Sequence, residues 1–148
     1  MPRVLLGLLA LSCVGIASEL LLLDHYEGWR QWIPLAALTA IFANSIAVLA
    51  TPSSPLLKLL QWLAVALLVV GGLGVYFHVK GNLEFELELH PTVKGWEKIW
   101  NVMKGAFPAL APLSMAQLGL LGLIAARAHP SFRRPRPANI QNEERGSS

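Results

Sequence analysis

Tyr76-Phe77-His78-Val79-Lys80-Gly81-Asn82-Leu83-Glu84-Phe85-Glu86-Leu87-Glu88-Leu89-His90-Pro91 is the stretch on which the reading of this chain turns. It follows a long apolar run, passes through Gly81-Asn82, and then alternates without a break. Glu84, Glu86, Glu88 and His90 fall on one side; Leu83, Phe85, Leu87 and Leu89 fall on the other. A period of two marks an extended segment with one wet and one apolar face. Pro91 biases His90 away from helical angles. Glu84 and Glu88 also stand four apart, but a helix scatters the leucines, so the expectation is an extended segment.

Outward from this stretch the chain is mostly apolar. Hydrophobic residues make up 54% of its 148 and charged residues 14%, against roughly a quarter charged in a soluble domain. The polar surface that covers a water-facing fold is missing. Cys13 is the sole cysteine, which excludes an internal disulfide and a dithiol relay. The net charge of +3 sits mainly beside apolar blocks and in one tail, as membrane topology requires, so nucleic acid is not an expected partner.

Four blocks have roughly the length needed to cross a bilayer. Val4–Leu23 runs past its signal-peptide-like small residues and reads as an uncleaved span. Asp24–Trp32 is a loop whose Tyr26, Trp29 and Trp32 suit the headgroup level. Ile33–Ala50 is the second span, and Thr51-Pro52-Ser53-Ser54-Pro55 is a turn. Leu56–Phe77 is the third span. Thr92–Lys104 then changes period, with Val93, Trp96, Trp100 and Met103 on one helical face, and reads as a short helix lying in the interface. Ala106–Ala126 is the fourth span, with Pro108 and Pro112 marking its start or a kink. Asn44 and Gln117 each lie about 16 Å along their spans, so the second and fourth helices are expected to meet through these two amides.

The fold expected is therefore an all-α membrane protein, a four-helix transmembrane domain over residues 1–127. An outer segment over 79–105 combines the extended stretch and the interfacial helix. A basic, proline-rich tail over 128–148 lacks the composition for a core and is expected to be disordered. Arg3, Lys58, Arg127, Arg133, Arg134, Arg136 and Arg145 fall on one side; Arg30, Lys80, Lys94, Lys98 and Lys104 fall on the other. The first group predicts cytoplasmic termini, in a bacterial inner (plasma) membrane.

Chemistry-bearing side chains gather on the outer side: His25, Glu27, His78, Glu84, Glu86, Glu88 and His90. Imidazole and carboxylate together are ligands for a divalent transition metal such as Zn, Fe, Ni, Cu or Mn. No His-Glu-x-x-His spacing accompanies them. Extended residues two apart are about 6.6 Å from each other, so one ion cannot take all three glutamates. His25 with His78 and one carboxylate is the tighter set. A nucleophile elbow and a phosphate loop are both absent from the sequence, and no charge stands at mid-depth as ion-driven carriers require. The expected function is an accessory, scaffold or sensor subunit acting through its outer face. Its partners are the lipid bilayer, other membrane proteins or further copies of the chain. The alternative is a metal-binding or metal-delivery protein using the outer histidines and glutamates.

Overall fold

The computed structural model describes residues 2–105 and 110–130. Among these the chain is all-helical, in the order α1 (Pro2–Leu22), a 3-10 turn (Trp29–Gln31), α2 (Trp32–Ala50), α3 (Ser54–Leu89), α4 (Gly95–Met103) and α5 (Leu113–Ala128). Three of them, α1, α2 with the turn before it, and α3, are long and apolar enough to cross a membrane. The expected start of the fourth span at 106–109 and the tail over 131–148 lie outside the described residues. Of the stretch expected to form it, the described helix is α5, which begins directly after Pro112. Its 16 residues extend about 24 Å, short of a hydrocarbon core of about 30 Å.

The deciding stretch is helical, not extended. α3 continues without interruption through Leu89 and has 36 residues. It is therefore about 54 Å long, against about 40–45 Å for a bilayer with its headgroups. The alternation misled because it concealed a second spacing: Asn82, Glu86 and His90 stand four apart. On a helix these residues share one face, and Asn82 and Glu86 are the buried residues of this segment. Pro91 acts where expected, on His90. The helix ends at Leu89, and His90 leaves it at φ −133°.

Local sequence sets the other boundaries. At the end of α1, Asp24 takes a left-handed φ of 51°. Its N–H donates to the Leu21 carbonyl, and that of His25 donates to the Leu20 carbonyl. This paired closure satisfies carbonyls that a helix end leaves open. Ser53 is extended, and its carbonyl accepts from Leu57 as α3 starts, with Pro55 in the first turn, where its missing N–H costs nothing.

The bundle is a ring: α1 packs on α2, α2 on α3, α3 on α5, and α5 back on α1. The α3–α5 pair is the most extensive and depends on glycine. A Cβ on Gly119 would fall 2.6 Å from the Ala64 carbonyl oxygen, and one on Gly71 would fall 2.7 Å from the Ala116 nitrogen. Backbones approach this closely in membranes because small residues let them. At Gly122 all four helices meet, since its Cβ would lie within 3.5 Å of Leu9, Ile41 and Ala64 atoms. Around this centre Leu6, Leu38, Leu57, Leu60, Leu67 and Leu118 are buried. Leu8, Leu11, Trp62, Val69, Leu120 and Ile124 point outward and are exposed, the arrangement of a helix set whose outer solvent is lipid.

The ring corrects the expected amide pair. α2 and α5 lie diagonally, not side by side. Asn44 is buried, with neither its Nδ2 nor its Oδ1 partnered, while Gln117 is on the exposed side of α5. The depth argument carried no information on rotation or on helix order.

Candidate functional site

The C-terminal end of α3 and α4 form an antiparallel helical hairpin. Two amides join it. Asn82 Nδ2 donates to the Val102 carbonyl at 2.9 Å, and Asn101 Nδ2 donates to Glu86 Oε1 at 2.8 Å. Gly105 makes room for the first: a Cβ there would lie 2.5 Å from Asn82 Cγ. At the tip, Gly95 opens α4 with φ +66°, a left-handed value that glycine adopts without steric cost. α4 is thus held along α3.

Glu86 is the polar centre of this hairpin. Its Oε1 accepts from Asn101 and lies 3.4 Å from His90 Nδ1. Glu84 and Glu88 point away from it, on the opposite side of α3, and are exposed. Glu84 lies 3.6 Å from Lys80 one turn below, the ordinary exposed helix pair of modest strength. The helix therefore divides the set that alternation grouped together.

The other candidates lie nearer the bundle. His25 follows the α1 closure and is half-buried. Burial, and then the charge of nearby His78, hold its pKa below the usual histidine value. His25 and His78 are thus brought into each other's field. Glu27 is exposed in the same loop. Tyr26 donates to Asp24 Oδ1 at 2.7 Å, and this bond, with slight desolvation and the charge of Glu27, raises its pKa. Among the described residues no group of three or more His, Cys, Asp or Glu side chains is placed to hold a metal ion.

The outward surface of the hairpin is aromatic. Trp96, Ile99 and Trp100 are exposed on α4, with Trp96 at 73%. Phe85 and Leu89, one turn apart on α3, are exposed as well. Lys104 places its Nζ 5.1 Å from the Trp100 ring centre, within the range of a cation–π contact. Reading the sequence found the apolar face of α4 but missed Asn82, Glu86 and Asn101 as the residues that aim it. The four-residue spacing on α3 was the available signal. No family model, no curated protein and no solved structure matches this chain.

Proposed function

We propose that this chain is a four-span accessory subunit of a membrane assembly, with the hairpin of α3 and α4 as its docking element on the outer side. In this reading α5, with the residues before it, completes the fourth crossing. Both termini then lie in the cytoplasm, as the placement of Arg3, Lys58 and Arg127 favours. The bacterial inner membrane is the setting.

One observation carries the reading. α3 is longer than a bilayer is thick by about 10 Å or more, and its C-terminal part is braced by two amide bonds, one buried and one part-buried, while the hairpin bears exposed tryptophans. A rigid aromatic surface offers large contact area at low entropic cost, which is why Trp is enriched where partners bind. A photo-crosslinking residue at Ile99 tests this in native membranes. A discrete protein adduct is expected, lost when Trp96 and Trp100 are changed to Ser; an adduct of two copies identifies the chain itself as partner. Adducts to lipid alone would contradict docking and assign the aromatic surface to the bilayer.

A further inference from the structure

Between α1 and α5 runs a shallow, open trough of about 470 Å³. Its α1 wall is Ser12, Gly15, Ile16 and Glu19; its α5 wall includes Ser114 and Gln117, with Leu118 and Leu121. These walls lie on the outside of the bundle, where the rest of α1 shows Val4, Leu8, Leu11 and Val14. Polar side chains interrupt a lipid-facing surface here, and they do so from two helices at once. Ser114 Oγ is satisfied by the Ala111 carbonyl at 2.7 Å. Glu19 and Gln117 have no hydrogen-bond partner among the described residues.

Depth orders these groups. Glu19 lies three residues before the end of α1, hence about 4.5 Å from that end, and Gln117 lies about 4.5 Å deeper than Ser114. Further along the trough Ile16, Leu118 and Leu121 are apolar, with Ser12 one turn beyond Ile16 on α1. A carboxylate only accepts, so it calls for a donor, and a charged one forms the stronger bond. The Gln117 amide both donates and accepts. A second copy placed symmetrically would set Glu19 against Glu19, which argues against self-pairing through this face.

We infer that the α1–α5 trough is a binding site for an amphiphile with an amine head, its ammonium on Glu19, its next polar group on Gln117 and its chain along Ile16, Leu118 and Leu121. The site rests on the proposed span arrangement but not on docking by the hairpin. A simple long-chain amine and an amine-headed phospholipid present the same ammonium.

Purified full-length protein in phosphatidylcholine nanodiscs, whose quaternary headgroup donates no N–H, is titrated with dodecylamine and with dodecanol, and bound ligand is read by native mass spectrometry. Dodecylamine is expected to bind on the order of tenfold more tightly than dodecanol, with Glu19→Gln removing that preference. Leu121→Trp, which fills the trough and leaves Glu19 in place, is expected to abolish binding. Mixed nanodiscs separate the sources: enrichment of phosphatidylethanolamine on the protein, lost in Glu19→Gln, identifies a phospholipid, and no enrichment identifies a single-chain amine. Thermal unfolding checks that each variant is folded, and an unchanged Ile99 crosslink in Glu19→Gln separates this site from the hairpin. Equal binding of amine and alcohol, or equal amine binding by wild type and both variants, would overturn the assignment.

Discussion

Asn44 is a buried amide with two unpartnered atoms in the middle of an apolar bundle. Such a group bears a desolvation cost of about 1–3 kcal/mol. Asn44→Leu is therefore expected to raise the unfolding temperature in detergent, and a loss of stability would reveal a partner for the amide. The glycines separate in the same way. Gly119→Ala places a methyl 2.6 Å from a carbonyl oxygen, whereas nothing lies within 4 Å of a Cβ on Gly72. The first should destabilise by about 1–3 kcal/mol; Gly72→Ala should be neutral or stabilising by up to about 1 kcal/mol. His25 gives the protein a pH dependence. Its folded pKa is lowered, so the folded state binds fewer protons than the unfolded one. The stabilisation is present above the unfolded value and is lost as pH falls through about 6.5 towards the folded pKa. His25→Gln should flatten the decline in melting temperature on acidification, and an unchanged slope would place the titration elsewhere.

At the scale of elements, the C-terminal part of α3 is the place where period and structure disagree. Spin labels placed singly from Val79 to Leu89 should show accessibility with a period near 3.6 residues; a period of two would restore the extended segment. Asn82→Ala removes the bond to Val102 and should cost about 1–3 kcal/mol, read as faster hydrogen exchange in α4. Much of the helical order was legible in the sequence, because apolar blocks of twenty residues and the Thr51–Pro55 breakers leave few alternatives. The helical state of 83–89 was not, because Leu and Glu are both good helix formers and their alternation outweighed the spacing of Asn82, Glu86 and His90. The candidate site was half legible. Its aromatic face shows in the spacing of Trp96 and Trp100, but Asn82 and Glu86 acquire their role only from α4 folding back on α3. The trough was not legible at all, since Ser12, Glu19 and Gln117 belong together only once α5 returns beside α1.

The whole molecule is organised around α3. Everything from Gly95 to Ala128 that is described runs antiparallel to it, through Glu86 with Asn101, Asn82 with Val102, Gly74 with Pro112, and Ala64 with Gly119. α1 and α2 complete the ring on its inner part and leave the hairpin standing clear. The account depends on α5 completing a crossing despite its 16 residues. Single cysteines at Glu88 and Ala128, both exposed, in a Cys13→Ser background test this with a membrane-impermeant maleimide applied to sealed cells and then to opened ones. The expected result is labelling of Glu88→Cys in sealed cells and of Ala128→Cys only after opening. Labelling of both positions from the same side would contradict the four-span arrangement and leave α5 on the hairpin's side of the membrane.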